Sequence, residues 1–126
     1  MYEVTIKRSF SAAHILKEIG GKCENLHGHN FAVEVIITSE RLNDQGVVID
    51  FRALKSYLGE TLDVLDHTFL NEIVPFANYN PSSEHIARFI HAEIRKRIKQ
   101  EGIDARVRIN VWESDTSRAS YWEDEK

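Results

Sequence analysis

The 126 residues are 42% hydrophobic and carry 16 basic against 20 acidic side chains, giving a net charge of -4. A chain of this length buries about two-thirds of its unfolded surface, so we expect a single domain over residues 1–126 with a modest core. The net negative charge argues against a nucleic-acid partner. The single cysteine excludes an internal disulfide. The lack of a long apolar run or signal-peptide core predicts a cytoplasmic protein with no membrane partner.

Apolar residues alternate over residues 2–13, which predicts a first strand running up to His14. A second strand is predicted from the motif at residues 27–29 through Ile37, after a loop over residues 15–26. The segment 43–46 has the composition of a turn.

Two amphipathic helices are predicted next. Asp50 is a favourable N-cap, and the residues that follow it carry an apolar stripe at helical spacing, formed by Phe51, Leu54, Leu58, Leu62 and Leu65. A second helix is predicted from the helix-start cluster at residues 80–84 to near Gly102, after a loop over 66–81. Residues 107–111 alternate again, and residues 119–122 allow a short fourth strand.

This order predicts an α+β fold in which an antiparallel four-stranded sheet is covered by two helices packed on one face. Such a sheet is open at both edges. Pairing of those edges between subunits would protect them, so we expect a homo-oligomer.

Three histidines form the most specific pattern in the chain. His27 and His29 flank Gly28, and side chains two residues apart on a strand point to the same side. A hairpin between the first two strands would bring His14 to the same place. Three imidazoles with one open position are typical of a catalytic Zn2+ site, although a chance grouping of loop histidines is the alternative.

The only cysteine, Cys23, lies four residues before His27 in a polar loop. A buried, inert thiol is the usual fate of a lone cysteine. A neighbouring metal would instead favour the thiolate and make Cys23 a nucleophile or base.

Two carboxylates are further candidates. Asp66 precedes His67 at the end of the first helix and could orient that imidazole for proton transfer, or the two could simply be a polar helix end. Glu113 has the same strand parity as Val111 and should project from the buried face, where a carboxylate needs partners. It could accept hydrogen bonds from the amino and ring N–H groups of a pterin or guanine-like ring, or be exposed where the strand frays.

The chain resembles the 6-pyruvoyl-tetrahydropterin synthase family over nearly its whole length, and most closely its 6-carboxy-5,6,7,8-tetrahydropterin synthase branch, which serves queuosine biosynthesis. The motifs that carry the resemblance are Phe10-Ser-Ala-Ala-His14, Cys23-x3-His27-Gly-His29-Asn30, Val48-Ile-Asp50-Phe51, Leu65-Asp66-His67 with Leu70-Asn71, Asn80-Pro81 with Glu84, and Glu113.

The resemblance implies a tunnelling fold (T-fold), in which sheets of several subunits join into a barrel, typically as a hexamer built as a dimer of trimers. It implies that His14, His27 and His29 bind Zn2+ and that Cys23 is the catalytic base. It further implies that Asp66 and His67 relay protons and that Glu113 anchors the pterin. Ser82 and Ser83 stand where the family commonly has threonine. Because serine keeps the hydroxyl group, the resemblance implies that they contact the pterin.

The implied reaction converts 7,8-dihydroneopterin triphosphate to 6-carboxytetrahydropterin, acetaldehyde and triphosphate. The short Cys-x3-His spacing favours this carboxy-forming branch over the pyruvoyl-forming one, and Cys23 argues against an aldolase-like member, where glutamate replaces the cysteine. Three alternatives remain open: triphosphate elimination alone, a non-catalytic zinc- or pterin-binding protein, and a hydrolase using zinc-bound hydroxide.

Overall fold

The computed structural model describes residues 1–124, with the side chain of Cys23 left outside the description. Its strands are β1 (Tyr2–His14), β2 (His27–Ser39), β3 (Thr68–Phe69), β4 (Arg106–Ser114) and β5 (Ser117–Trp122), and its helices are α1 (Phe51–Asp63) and α2 (Ser83–Gln100). Short 3-10 turns cover Gly21–Glu24, Leu70–Glu72 and Val74–Phe76. The predicted α+β class is confirmed, and the six predicted elements occur in the predicted order, with β3 as an additional strand between the two helices.

The sheet contains five strands rather than the predicted four, in the order β3-β1-β2-β4-β5. Four of them pair antiparallel, while β3 pairs parallel with Ala12 and Ala13 of β1. A two-residue strand has no alternation to detect, and its pairing depends on residues more than fifty positions away. The sequence pattern therefore indicated only a loop in this part of the chain.

The first helix begins after the predicted cap Asp50, and the second begins within the predicted helix-start cluster at residues 80–84, with Ser82 as its cap. The Asp50 side chain accepts a hydrogen bond from the backbone N–H of Arg52, and Ser82 accepts one from that of His85. These bonds satisfy N–H groups that have no partner in the first helical turn. α1 ends at Asp63, two residues before the apolar stripe ends, and Phe51 is exposed rather than part of the core.

The core lies between the helices and one face of the sheet. Alternate residues of β2 and β4 point into it, as the period of two requires. Fully buried members include Phe31, Val33, Val35, Ile37, Leu54, Leu58, Leu65, Ile86, Ile90, Ile94 and Ile109. Along the part of the chain that the structure describes, no helix is both long and apolar enough to cross a bilayer.

Candidate metal centre and active site

The β1–β2 hairpin brings the three motif histidines together. His14 and His27 are register partners at the end of the hairpin where the connecting loop joins the two strands, and His29 follows two residues later on the same face. The ring centroid of His14 lies 4.4 Å from that of His27 and 5.4 Å from that of His29, and the centroids of His27 and His29 are 4.8 Å apart. The hairpin predicted from sequence therefore produces a compact imidazole cluster.

Two backbone carbonyls orient these rings. His14 Nδ1 lies 2.8 Å from the carbonyl oxygen of Pro81, and His27 Nδ1 lies 2.7 Å from that of Asn25. A carbonyl oxygen only accepts, so each Nδ1 carries the proton and each Nε2 is left with a free lone pair. This is the arrangement by which proteins orient histidine ligands toward a metal.

The cluster has the unmet polar groups that a metal would satisfy. One ligand atom from each of His14, His27, His29 and Glu113 lies within 4.8 Å of the others, so this group could hold a metal ion. Within the described residues, the Nε2 atoms of His14 and His29 are buried without a hydrogen bond. Burial is the main reason that the pKa of His14 is lowered, which favours the neutral form that a metal requires.

Glu113 closes one side of the cluster. Its Oε1 lies 2.8 Å from Nε2 of His29 and 3.5 Å from Nε2 of His14. Neither contact has the geometry of a hydrogen bond. The β4–β5 register shifts between Trp112 and Ser114, so Glu113 sits at a strand irregularity of the kind that re-aims side chains near functional sites. The parity argument predicted an inward direction, but it did not predict contact with the histidines.

Asp66 and His67 form the expected pair. Asp66 Oδ1 lies 3.0 Å from Nδ1 of His67 and also accepts a hydrogen bond from the backbone N–H of Ser11 at 2.9 Å. The bond from Ser11 is the main cause, followed by the one from His67, of a lowered pKa for Asp66. His67 has a positive φ of 58°, and its side chain is 82% exposed.

His67 does not reach the metal cluster of its own chain. Among the described residues it has no hydrogen bond or ion pair with His14, His27 or His29. It lines an open cavity of about 470 Å³ together with Ser11, Ala13, Gly28 and Asn30, which lie on the sheet face opposite the helices, and with Ala12, His29 and Thr68. The exposed ring is therefore available to a molecule or subunit outside this chain.

The two serines occupy different environments. Ser82 uses its hydroxyl as the cap of α2, accepting from His85 N at 3.1 Å. Ser83 lines a cavity of about 290 Å³ that also includes Glu84, Glu113 and residues 117–120. The structure thus places Ser83 beside Glu113, whereas Ser82 has a structural partner. Cys23 lies in the 3-10 turn before His27, and its side chain is outside the described part of the chain.

The chain is similar to proteins of known family along most of its length. A family model described as 6-pyruvoyl tetrahydropterin synthase matches residues 3–124. The chain belongs to this family. A protein of Synechocystis named 6-carboxy-5,6,7,8-tetrahydropterin synthase is 37% identical over 119 residues, covering 90% of this chain and 88% of that protein.

Two other relatives show the range of activities named within the family. A dihydroneopterin monophosphate aldolase of Pyrococcus furiosus is 36% identical, covering 87% of this chain and 88% of that protein. The solved structure of Caenorhabditis elegans 6-pyruvoyl tetrahydropterin synthase has a TM-score of 0.79 at 27% identity and covers 98% of both chains. The T-fold subunit expected from sequence is therefore confirmed.

Sequence reasoning missed the groups that hold the site in place. Neither the Pro81 carbonyl beside His14 nor the approach of Glu113 to His29 has a local signal, because each joins segments that are distant in the chain. The helix-start composition at residues 80–84 and the family motif Asn80-Pro81 marked this segment, but neither predicted its contact with His14.

Proposed function

We propose that this member of the family is a zinc-dependent lyase that converts 7,8-dihydroneopterin triphosphate and water to 6-carboxy-5,6,7,8-tetrahydropterin, acetaldehyde and triphosphate, in queuosine biosynthesis. The observation that carries the proposal is the three-histidine cluster, in a chain whose Cys23 stands four residues before His27. The name of the Synechocystis relative supports the carboxy-forming outcome.

His14, His27 and His29 are the proposed Zn2+ ligands. Their imidazole nitrogens suit this ion, and three of them leave the open position typical of a catalytic site. Bound there, Zn2+ would supply charge stabilisation to the hydroxyls of the substrate side chain, making their protons and the adjacent C–H more acidic. The orphaned Nε2 atoms of His14 and His29 support this assignment.

The remaining residues are proposed to transfer protons or to bind the pterin ring. Cys23 would abstract a proton from the substrate side chain, while Asp66 would hold His67 in the tautomer needed to relay protons. Glu113 would accept from the amino and ring N–H groups of the pterin, so that the reacting carbons are held in register. Ser83, in the same cavity as Glu113, is the better-placed of the two candidate serines to contact the ring.

A single chain does not assemble this set of residues, because among the described residues His67 makes no hydrogen bond or ion pair with its own histidine cluster and is absent from the group that could hold a metal. We therefore propose an oligomer in which the relay pair of one subunit meets the cluster of another, as a hexamer built from two trimers. Within the described residues, the outer edge of β1 before Ala12 and that of β5 have no strand partner, which supports edge pairing between subunits. We place this oligomer in the cytoplasm, as one domain per chain, without nucleic-acid or membrane partners.

Two relatives define the alternative reactions. The same site could eliminate triphosphate without carbon–carbon cleavage, giving 6-pyruvoyl-tetrahydropterin, or could cleave the side chain as an aldolase. Both differ from the proposed reaction in their products. A binding protein without catalysis would release none.

The test is product analysis with 7,8-dihydroneopterin triphosphate, using the wild type, Cys23→Ala and a zinc-stripped sample. Acetaldehyde together with 6-carboxytetrahydropterin from the wild type alone is the expected result. A pyruvoyl product would replace the proposed reaction with the elimination. No turnover by zinc-loaded wild type would overturn the proposal of a lyase.

A further inference from the structure

Along one edge of β1, and along the chain just beyond its end, backbone groups are hydrogen-bonded by side chains where a neighbouring strand would otherwise pair with them. In an extended chain, the N–H and C=O of every second residue face the same edge. At Ser11, the N–H donates to Asp66 Oδ1 at 2.9 Å and the C=O accepts from His67 N at 2.6 Å. β3 then pairs with Ala12 and Ala13, and its strand ends at Phe69.

Two asparagines supply the next partners on this edge. Asn71 accepts from the N–H of Ile15 at 2.8 Å and donates to its C=O at 2.9 Å. Asn80 accepts from the N–H of Lys17 at 2.9 Å and donates to its C=O at 2.8 Å. Each carboxamide therefore holds both backbone groups of one residue, as a paired strand would.

We propose that Asn71 and Asn80 are positioning residues that fix the path of the chain on the C-terminal side of His14 and thereby aim its ring into the metal site. His14 lies between β3's partner Ala13 and the clamped Ile15, so its backbone is held on both sides. The role of that ring as a metal ligand rests on the proposed function.

The segment that begins at Asn80 and leads into α2 also orients the ring of His14. Asn80, which holds Lys17, is followed directly by Pro81, whose carbonyl accepts from His14 Nδ1 at 2.8 Å. The carbonyl of Asn80 lies 2.6 Å from Nδ1 of His85, whose backbone N–H is capped by Ser82. One short segment thus fixes the backbone beyond His14 and the tautomer of its ring, and His85 ties that segment to the helix.

A carboxamide can make these clamps and the carboxylate of the same shape cannot. A carboxamide offers a donor and an acceptor side by side, whereas an ionised carboxylate offers acceptors only and would face the carbonyl of residue 15 or 17. Asn71→Asp and Asn80→Asp therefore remove one bond of each clamp with almost no change of shape. Asn78→Asp is the matched control, because Asn78 is exposed in the same segment and takes no part in either clamp.

The experiment measures two properties of folded protein at a pH well above the ordinary histidine pKa. Competition with a chelator gives the Zn2+ dissociation constant, and the ring 15N shifts of His14 in metal-free protein report its tautomer. We expect the dissociation constant to rise about 10-fold to 100-fold in both clamp variants, the range for loss of groups that orient a metal ligand. His14 should change from one tautomer to a mixture, and Asn78→Asp should match the wild type.

Folded clamp variants with wild-type zinc affinity and an unchanged His14 tautomer would overturn the inference and leave a purely structural role. Should Asn71→Asp not fold, Asn71→Ser removes the clamp without adding charge and takes its place. A wild type that binds zinc without turning over the substrate would overturn the proposed reaction alone. A wild type that does not bind zinc would overturn both.

Discussion

Glu113→Gln separates two roles that the structure allows for this carboxylate. Its Oε1 is close enough to Nε2 of His29 and His14 for the group to act as a fourth metal ligand, yet it also lines a cavity with Ser83. We expect the substitution to raise KM for 7,8-dihydroneopterin triphosphate while zinc affinity stays within about threefold, because three histidines complete the site.

The size of the effect follows from the exposure of the carboxylate. A hydrogen bond to a charged group contributes about 1.5–3 kcal/mol, and a side chain that is 32% exposed belongs at the lower end. Two such bonds to the pterin give about 3 kcal/mol, of which a glutamine that still accepts one bond keeps about 1 kcal/mol. The loss of about 2 kcal/mol corresponds to a roughly 30-fold fall in kcat/KM, expressed in KM because the ring is held equally before and during reaction.

The assay combines initial rates of acetaldehyde release with chelator competition for zinc. Glu84→Gln is the control, since Glu84 lines the same cavity but is absent from the histidine cluster. A zinc affinity at least about 10-fold weaker in Glu113→Gln, with an unchanged KM, would refute the reasoning. That result is expected of a residue that binds the metal or orients a metal ligand.

Three further changes test other parts of the argument. Asp66→Asn keeps an acceptor for Ser11 but loses the carboxylate that holds His67, so kcat should fall about 100-fold with KM little changed. Leu58→Ala opens a cavity at a fully buried position and should cost about 2–5 kcal/mol in urea unfolding. Burial lowers the pKa of His91, so the unfolded state takes up a proton first and stability should fall as pH drops below about 6.5. In His91→Gln this part of the pH dependence should disappear.

Each of these has a result that would contradict it. Undiminished turnover in Asp66→Asn would remove the relay role. A loss below about 1 kcal/mol in Leu58→Ala would mean that the core collapses around the deletion. An equal pH slope in wild type and His91→Gln, compared as urea midpoints, would assign the acid sensitivity to other groups.

Local patterns were sufficient for most of the secondary structure. The strand alternation ending at His14, the cap at Asp50, the helix-start cluster at residues 80–84 and the apolar stripe of α1 are short-range features. The structure contains the corresponding elements. The grouping of His14 with His27 and His29 also followed from the sequence, because one hairpin is enough to bring them together.

The remaining features depend on contacts across long stretches of chain. β3, the Asn71 and Asn80 clamps and the Pro81 carbonyl all join residues 12–17 to the segment 68–81, and no periodicity marks such pairings. By itself the sequence determined which three histidines could bind a metal and which strands would carry them, because side-chain direction along a strand is a local property. Only the tertiary structure decided how the rings are oriented and that, among the described residues, His67 makes no hydrogen bond or ion pair with them, because both depend on where distant backbone groups pack.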